Sequence, residues 1–586
     1  MLAQILRQMN GPLLAAVAAV YAAALALVAW LRAGRGEALA AINDSGRGWR
    51  RAVIAATAAY FVVYALLSME RYYKLLDGAW DLGIFDSLFY NALKGRVFVD
   101  YRGPFDHFQP IYLLFVPFYA LWQDARFLLV LQTAALAAAA WPLYLLASEV
   151  SGRKAVGAAV AIVYLLYPLV GEANLYDVHM LSFSPVCFFT MLLFMVRRKW
   201  KWYWAFMVLT LSTKESEAVI VFSAGVYLLF SREYRRGAIT AAAAAAWFFG
   251  ATAYVLPAVT GAPFRHFGRY ASLTDVAEWA YGSGIGRATA LAYLARVFAV
   301  GVFTLAPLSF LPMRRWRAFA IIFGPAFVIN MISRNPYQNV IFGHYGTTVS
   351  SAALAACALA TGGPGATLGE KRHSAAPVFL VAVAFLSNVV LSFPANETFI
   401  FPKAHLDMAK SFNVMSMPIP FTSARLHFYR QGARERLFFA LRDAIPAGSS
   451  VAAENNLGPH FMNRYCFSDI SEKGRADYYV FDNTAPCGVV NPKEREAVYR
   501  DLTTDPAYVC AVDLRSAAAA GIVVFARREL LPAVYANLKK ARERNPGDEG
   551  PRLALAAIDQ TLEAAPRPPG ESGSASAGGQ RTGETE

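Results

Sequence analysis

The sequence is poor in charged residues and in cysteine. Only 16% of its 586 residues are charged, whereas soluble proteins of this size carry about 25%, so an ordinary soluble enzyme is excluded. The 5 cysteines show no metal-binding spacing. The sequence also contains no glycine-rich phosphate loop and no dinucleotide fingerprint. It therefore carries no recognisable machinery for the use of ATP.

Hydrophobic residues, in contrast, make up 56% of the chain and are gathered into long runs. The segments 12–31 and 238–257 are two of these runs. Each has about 20 residues, which is long enough to cross the ~30 Å hydrocarbon core of a bilayer as a helix. We therefore predict a polytopic α-helical membrane protein.

The net charge of +14 is a signal of membrane topology. Basic residues are concentrated in short connections between apolar runs, at residues 32–51, 153–154, 197–201, 232–236, 314–317 and 371–372. Every second connection is basic, and basic loops remain on the cytoplasmic side. This placement argues against nucleic acid as a partner.

The alternation of apolar runs and basic loops predicts about 12 membrane spans. They lie at residues 12–31, 51–69, 126–149, 155–170, 180–196, 202–213, 217–230, 238–257, 288–311, 318–333, 345–361 and 375–393. Residues 1–50 are predicted to add an N-terminal span and a basic cytoplasmic loop, with a cleaved signal peptide as the alternative. Residues 51–393 form the main transmembrane domain, and residues 70–124 are its first external loop.

The charged segment KESE, residues 214–217, interrupts an apolar stretch. A single helix through it would place Lys214 and Glu215 near the middle of the membrane, which is costly. It would also reverse the sidedness of every later basic loop. We therefore predict a hairpin of two short helices that meet near the outer side of the membrane.

The sequence changes character beyond residue 394. Strand-like segments such as SSVAAENN, ADYYVFDN and GIVVFARR alternate with helical or loop segments. We predict a small C-terminal extracytoplasmic α/β domain over residues 394–530. Residues 531–586 are predicted to begin as a helix and to end as a disordered tail, because the last of them are rich in Pro, Gly and Ser.

Unusual ionisable and aromatic residues gather on the predicted external side. The candidates are Asp81, Asp86, His107, Asp177, His179, Lys214, Glu215, Arg265, Arg269, His344 and Tyr345. Charges beside apolar spans are costly without a partner and mark functional sites. A carboxylate can act as general base on an attacking hydroxyl, and lysine or arginine can hold a phosphate leaving group.

Each candidate also has a purely structural interpretation. Asp81 and Asp86 could cap or solvate an interfacial helix, and Asp177 could simply end a span. Lys214 could pair with Glu215, and the histidines could lie at the membrane interface. The convergence of acids and bases on one side favours a functional site.

Three motifs resemble those of the polytopic glycosyltransferases of the GT-C superfamily. The segment WDLGIFDSLFYNALKG, followed by DHFQPIYLL, resembles their acidic first external loop, which implies that Asp81 is the catalytic carboxylate. NLYDVHMLSFSP resembles their second acidic loop and implies a second carboxylate at Asp177. LTLSTKESEA resembles a span that ends in a lysine near the donor phosphate, here Lys214. The acid that follows Asp81 is Asp86 rather than an adjacent residue, so the roles of these two stay open.

Over most of residues 70–530 the chain resembles still more closely a bacterial membrane family of unknown function that is grouped with GT-C. The resemblance implies a GT-C-like fold in the bacterial inner (plasma) membrane, with the active site and the C-terminal domain extracytoplasmic. It also implies a glycosyltransferase that moves a sugar from a polyprenyl-phosphate donor to an extracytoplasmic glycan, lipid or protein acceptor.

Two other functions stay open. A membrane transporter or lipid flippase would need charged or broken helices near the bilayer midplane. A non-catalytic protein of cell-envelope polysaccharide assembly would need only the fold. No cofactor is firmly implied, although a divalent metal could bind between Asp81 and Asp177.

Overall fold

The computed structural model describes residues 17–31, 46–269, 284–333, most of 335–362, 376–391, 431–463, 466–470, 476–483, 492–513 and 521–564. The predicted disordered end of the chain, beyond residue 564, lies outside these ranges. So does the predicted cytoplasmic loop between the first two spans, except for its last residues.

Apolar helices form the first two thirds of the described chain. Three of them are long and apolar enough to cross a membrane: Arg47–Tyr73, Ala125–Ser151 and Tyr234–Thr260. Two bent pairs raise this number to 5 if each pair is one span: Lys154–Leu165 with Pro168–Leu175, and Val297–Leu308 with Leu311–Met331. Shorter apolar helices occupy Val17–Leu31, Met180–Val196, Tyr345–Ala360 and Ala376–Asn388. The predicted dozen spans therefore stays a prediction.

The two bent pairs have local causes. The first pair bends by 42° before Pro168, which has no amide proton and cannot continue the preceding helix. The second pair bends by 93°, where Ser309 and Phe310 both adopt a left-handed backbone with φ of 52°. The predicted single helix at 155–170 is thus interrupted, because it contains this proline.

The KESE segment separates two helices, Trp200–Thr213 and Ala218–Phe230. Lys214 between them has an extended backbone, with φ −166° and ψ 150°. The far ends of the two helices lie together, since Arg198 forms an ion pair with Glu233 at 3.2 Å. The two helices therefore form a hairpin with KESE at its turn, as the sequence predicts.

The second helix of this hairpin packs closely against the helix Tyr234–Gly250 through glycines. A Cβ on Gly225 would lie 2.6 Å from the backbone N of Ala241. A Cβ on Gly237 would lie 2.8 Å from the backbone O of Gly225. Both distances are shorter than van der Waals contact, so a larger residue at either position forces the two helices apart.

Gly225→Ala is therefore expected to lower the free energy of unfolding by about 1–3 kcal/mol, through overpacking. A thermal denaturation curve of the detergent-purified protein measures the change. Gly250→Ala is the matched control, because a Cβ there meets no atom within 4 Å and alanine favours the helix. Equal destabilisation by the two substitutions would contradict the close packing at Gly225.

The predicted first external loop is a compact layer of short elements. These are the π-helical turn Ala79–Gly83, the helix Ile84–Leu93, the strands β1 (Val99–Asp100) and β2 (Gly103–Pro104), the 3-10 helix Pro110–Leu114 and the helix Val116–Tyr119. Strands β1 and β2 pair antiparallel. The layer is held by buried aromatic side chains, Phe89, Phe105, Tyr112 and Tyr119. This packing gives the loop a fixed shape on which a site can be built.

Several of the spans named above consist of, or overlap, shorter regular helices. These are Ala140–Ser151, Ser184–Val196, Leu256–Thr260, Gly284–Leu305, Gly324–Met331 and Ala376–Leu391. The largest apolar core lies among these helices and the long spans named above.

The described chain after residue 431 contains a five-stranded mixed sheet. Its strands are β3 (Ser450–Ala453), β4 (Cys466–Asp469), β5 (Tyr478–Asp482), β6 (Tyr508–Val512) and β7 (Ile522–Arg527), in the order β4-β3-β5-β7-β6. Strand β3 is parallel to β4 and β5, and β7 is antiparallel to β5 and β6. The accompanying helices are Ala433–Ala444, Pro492–Thr504, Leu531–Arg544 and Glu549–Ala564. A separate domain on the extracytoplasmic side stays a prediction.

The segment that follows β3 packs directly on the first external loop. The carbonyl of Asn455 accepts a hydrogen bond from the amide of Ala79 at 2.7 Å. Gly458 allows this approach, because a Cβ there would lie 2.5 Å from the Cβ of Ala79. The sheet is thus fixed against the loop that contains Asp81.

Candidate functional site

Asp81 lies in the loop that follows the helix Gly46–Tyr73. The helix ends near Leu75, which has a left-handed backbone with φ of 59°. The chain then turns so that the side chain of Asp81 is 29% exposed, whereas the side chain of Asp77 is fully buried. Asp81 is therefore the carboxylate of this loop that a substrate can reach.

Arg71 connects this loop to the second acidic loop. Its Nε lies 3.3 Å from Oδ1 of Asp77, and its Nη2 lies 3.2 Å from Oδ1 of Asp177. The amide of Gly78 donates to the other oxygen of Asp177 at 2.9 Å. Both oxygens of Asp177 are thus used to shape the loop, which makes it a positioning residue for Asp81.

Asp77 and Asp177 are two buried carboxyl groups beside Arg71. Burial raises the pKa of Asp77 well above its ordinary value, and the effect of burial exceeds the opposing effect of Arg71. Burial also raises the pKa of Asp177. The neighbouring Asp177 raises the pKa of Asp77 further. The environment of Asp77 therefore favours the neutral form of this carboxyl group.

Asp81 contacts a stack of histidine and tyrosine rings. Its Oδ1 lies 3.1 Å from Nε2 of His179. The His179 ring stacks on His344, with centroids 3.8 Å apart and planes 17° from parallel. Tyr345 lies next to His344 at a centroid distance of 4.0 Å. The structure thus brings together four predicted site residues, which we call the Asp81 group: Asp81, His179, His344 and Tyr345.

Gln132 holds the turn that joins Asp177 to His179. Its Nε2 donates to the carbonyl of Asp177 at 2.6 Å, and its Oε1 accepts from the amide of His179 at 2.8 Å. Asp177 itself has a left-handed backbone with φ of 48°, which is uncommon outside glycine and marks functional or strained positions. The buried amide of Gln132 thus fixes the backbone from which His179 reaches Asp81.

Asn455 holds the opposite side of the Asp81 loop. Its Oδ1 accepts a hydrogen bond from the amide of Trp80 at 2.9 Å. A Cβ on Gly78 would lie 2.9 Å from the Nδ2 of Asn455, so glycine is needed for this close approach. The loop is therefore clamped between Asp177 on one side and Asn455 on the other.

A second group, which includes the predicted residues His107, Glu215 and Arg265, lies around Asp106. The Nδ1 of His107 is 2.8 Å from Oε1 of Glu215. Asp106 forms an ion pair with Arg265 and lies 3.4 Å from Nε2 of His266. We call these five residues the Asp106 group.

Neighbouring charges keep both carboxylates of the Asp106 group ionised. Burial opposes ionisation of Glu215, but His107 and Lys214 lower its pKa to about 2. Burial also opposes ionisation of Asp106, while a hydrogen bond from His266 and the nearby arginines hold its pKa well below the ordinary value. The group therefore presents fixed negative charges among several cations at neutral pH.

Lys214 lies at the turn of the hairpin, directly before Glu215 and three residues before Glu217. Glu217 is fully buried and accepts hydrogen bonds from Ser184 and from Thr348, the latter at 2.5 Å. Lys214 is partly exposed. It is thus placed where its ammonium group can contact an anionic substrate.

Aromatic side chains connect the two groups. The ring of Phe85 lies 5.7 Å from that of His179 and 5.8 Å from that of Phe105. The ring of Phe105 lies 6.0 Å from that of His107. Two rings therefore separate a histidine of the Asp81 group from a histidine of the Asp106 group, and the two groups belong to one region of the molecule.

Asp86 lies apart from this region. It is 1% exposed, and its Oδ1 accepts a hydrogen bond from the hydroxyl of Tyr119 at 2.5 Å. Burial raises the pKa of Asp86 to about 8, so the group is protonated at neutral pH. A buried, protonated carboxyl group neither contacts a substrate nor acts as a base. The predicted catalytic role of Asp86 therefore has no support in its position.

Other predictions of the site have different outcomes. The side chain of Arg269 lies outside the described residues. A divalent metal between Asp81 and Asp177 was the other suggestion from the sequence. Both carboxylate oxygens of Asp177 already have partners, an ion pair with Arg71 and a hydrogen bond from the amide of Gly78, so this position does not offer free metal ligands. In the ranges that the structure describes, the group with metal-ligand geometry is Asp106, His107 and His266.

The sequence interpretation missed several positioning residues. They are Arg71, Asp77, Gln132 and Asn455. An arginine at the end of a long apolar helix was a usable signal, because such a charge requires an acidic partner. Gln132 and Asn455 carry no such signal, since neutral amides are ordinary in a span or a loop.

A model of the family described as "Predicted membrane protein (DUF2079)" matches residues 71–487. The chain belongs to this family. The membership confirms the predicted likeness to a membrane family of unknown function. The match begins at Arg71 and includes the positions of both groups and of Asn455. No curated protein sequence matches this DUF2079 chain.

Two solved structures of ArnT from Cupriavidus metallidurans resemble this DUF2079 protein. The structure bound to undecaprenyl phosphate is 15% identical, with 82% of this chain and 98% of that chain covered and a TM-score of 0.47. The structure in the apo state is 15% identical, with 80% and 98% covered and a TM-score of 0.42. ArnT is a GT-C glycosyltransferase. At this identity the likeness concerns the fold alone.

Proposed function

We propose that this membrane protein is a glycosyltransferase that moves a sugar from a polyprenyl-phosphate donor to an extracytoplasmic glycan, lipid or protein acceptor. The observation that carries the proposal is the arrangement around Asp81. One reachable carboxylate lies beside His179, while the other acids of its loop are buried and paired. Lys214 and Arg265 supply positive charge in the adjoining region. A base and a set of cations are what transfer from a phosphate leaving group requires.

Asp81 accepts the proton of the attacking hydroxyl. His179, at 3.1 Å, holds the carboxylate in one orientation. The backbone amides of Gly78 and Trp80 donate hydrogen bonds to Asp177 and Asn455, and these bonds hold the loop backbone. Fixed placement of this kind contributes strongly to rate, because a displacement of about 1 Å can cost about 100-fold.

Lys214 and Arg265 hold the phosphate of the donor. Negative charge grows on that phosphate as its bond to the sugar breaks, and cations held nearby stabilise it. Arg265 is 62% exposed and Lys214 is partly exposed, so both can turn toward a lipid headgroup. The ion pair with Asp106 keeps Arg265 in place before the donor binds, and Lys214 lies close enough to Glu215 to lower its pKa.

The proposal includes a location and a topology. The protein is a multi-pass protein of the bacterial inner (plasma) membrane, and the Asp81 group faces away from the cytoplasm. The region 394–530 lies on the same side, where its contact with the Asp81 loop positions the acceptor. The basic loops at the opposite helix ends support this orientation.

The proposed donor site can be tested with the purified protein in proteoliposomes. Release of polyprenyl phosphate from a polyprenyl-phosphate sugar is measured in the presence of a membrane glycan extract. Lys214→Met should raise KM for the donor by about 10–100-fold, because a charge-assisted hydrogen bond contributes about 1.5–3 kcal/mol. The measurement is the dependence of the initial rate on donor concentration.

Lys201→Met is the matched control, since Lys201 is an exposed lysine at the other end of the same hairpin helix. It should leave KM unchanged. Equal effects of the two substitutions would refute the donor-phosphate role of Lys214.

A membrane transporter or lipid flippase is the second candidate. The two bent helix pairs favour it, because broken helices form substrate sites in transporters. In the same proteoliposomes a transporter moves labelled lipid or solute without release of polyprenyl phosphate. Transfer of the sugar with release of the phosphate supports the glycosyltransferase instead.

A further inference from the structure

Asp106, His107 and His266 place a carboxylate and two imidazoles around one point. One ligand atom of each lies within 4.8 Å of the others. The two imidazole rings are nearly parallel, with centroids 4.5 Å apart and planes at 6°. The residues come from the first external loop and from the turn after the helix Leu256–Thr260, so the fold brings them together from distant parts of the chain.

His107 has the supporting hydrogen bond that metal-bound histidines need. Its Nδ1 lies 2.8 Å from Oε1 of Glu215, and Oε2 of Glu215 accepts from the amide of Phe108 at 3.0 Å. A ring N–H donated to a carboxylate fixes the tautomer and leaves Nε2 as the electron-pair donor. Glu215 is only 3% exposed, so this partner is built into the protein.

Asp106 is also supported on its outer side. Its Oδ1 lies 3.7 Å from Arg102, and Arg102 is held in turn by Asp100 at 2.8 Å. The other oxygen, Oδ2, is directed toward His266 and Arg265. Arg265 is 62% exposed and can turn into solvent, so an ion can take its place at Oδ2.

The donor set indicates the kind of ion. Two imidazoles and one carboxylate suit Zn²⁺, whereas Mg²⁺ and Ca²⁺ prefer sites made of oxygen. Metal–ligand bonds of about 2.0–2.2 Å place the ligand atoms of a tetrahedral site about 3.4 Å apart. A closure of the two segments by about 1 Å therefore completes the site. Three protein ligands leave a fourth position open.

We propose that Asp106, His107 and His266 bind Zn²⁺, with Glu215 as the partner that orients His107. The ion ties the first external loop to the turn that carries Arg265. Through Glu215 it also fixes the turn of the hairpin that carries Lys214. The fourth position is taken by water or by an oxygen of a phosphate. The test of this proposal measures the amount of bound Zn²⁺, so its result does not depend on whether the protein transfers a sugar.

The test uses the full-length protein in detergent, stripped with a chelator, loaded with Zn²⁺ and dialysed. We expect about one Zn²⁺ per chain by elemental mass spectrometry. Asp106→Asn and His266→Gln should each weaken binding by more than about 100-fold, because each removes a ligand. Glu215→Gln should weaken it by about 10–100-fold, as loss of an orienting partner does. Co²⁺ in place of Zn²⁺ should give visible absorption bands that change in the Glu215→Gln variant.

His179→Gln is the matched control, because His179 is also a buried histidine stacked on another histidine, but in the Asp81 group. It should retain the bound Zn²⁺, and so should Asp81→Asn. Substoichiometric Zn²⁺ in the unmodified protein would overturn the proposal. So would loss of Zn²⁺ in Asp81→Asn together with retention in Asp106→Asn, which would place the ion in the Asp81 group. Helix content by circular dichroism identifies misfolded variants, and the nearly isosteric Asp106→Asn then decides the outcome.

Discussion

Asp81→Asn should lower kcat for sugar transfer by about 10²–10⁴-fold, the usual contribution of a general base. The amide keeps the size of the side chain and its contact with His179, but it does not take a proton from a hydroxyl. The donor contacts assigned to Lys214 and Arg265 are unchanged, so KM for the donor should change little. Both constants come from the release of polyprenyl phosphate at varied donor concentration.

Asp86→Asn is the control for this experiment. Asp86 lies in the same loop, but it is buried, protonated and bonded to Tyr119. Asparagine resembles a protonated aspartate in shape and polarity, so kcat should fall by less than about tenfold.

Full activity of correctly inserted Asp81→Asn would refute the proposed mechanism. Full rescue of a deletion strain by a variant without transferase activity would point to a non-catalytic assembly protein.

Arg71→Leu should lower the free energy of unfolding by about 3–5 kcal/mol, the cost of removing one partner from a buried ionic network. Arg71 is 5% exposed and is the cation beside Asp77 and Asp177. Without it the buried carboxyl group of Asp177 loses its cation partner. Thermal denaturation of the detergent-purified protein measures the loss, which should be accompanied by loss of sugar transfer because the Asp81 loop loses its anchor.

Asp77→Asn is the matched substitution for this network. Burial raises the pKa of Asp77 well above its ordinary value and so favours its neutral form, which the neutral amide of asparagine resembles. The expected loss is therefore about 1 kcal/mol or less, as for a neutral hydrogen bond. Destabilisation equal to that of Arg71→Leu would contradict a neutral Asp77 and would indicate that its charge contributes to the network.

Composition predicted that the described chain contains apolar helices, and it predicted the break between two of them at KESE, but it did not determine the number of spans. Apolar runs of sufficient length have few alternatives to a helix in a bilayer. The break at Lys214 followed from the cost of placing charge at mid-membrane and from the sidedness of later basic loops. The extended backbone of Lys214 between two helices agrees with that argument.

The sequence could predict that Asp81, His179 and His344 lie on the same side of the membrane, but it could not predict that they contact one another. Residues at the outer ends of different spans lie in one layer, but their pairing depends on how the helices pack. The sequence therefore could not distinguish the contact of Asp81 with His179 from the separate contact of His107 with Glu215.

Asp86 is a residue whose burial the sequence did not reveal. Its spacing from Asp81 in an aromatic segment gave no sign that Tyr119 would enclose it. Asn455 was equally hidden, since it lies 375 residues from the Trp80 amide that it contacts. Burial and long-range hydrogen bonds are properties of packing, and a pattern of residue types along the chain does not contain them.

The bond between Asn455 and Trp80 has a consequence for biogenesis. The ribosome completes every membrane helix described here before it reaches the codons for the β3 segment. Until that late segment has folded, the Asp81 loop lacks the hydrogen bond to Asn455 and so half of its clamp. The Asp81 loop therefore reaches its final backbone position only after the described membrane helices have been made, through a contact that the helices themselves do not supply.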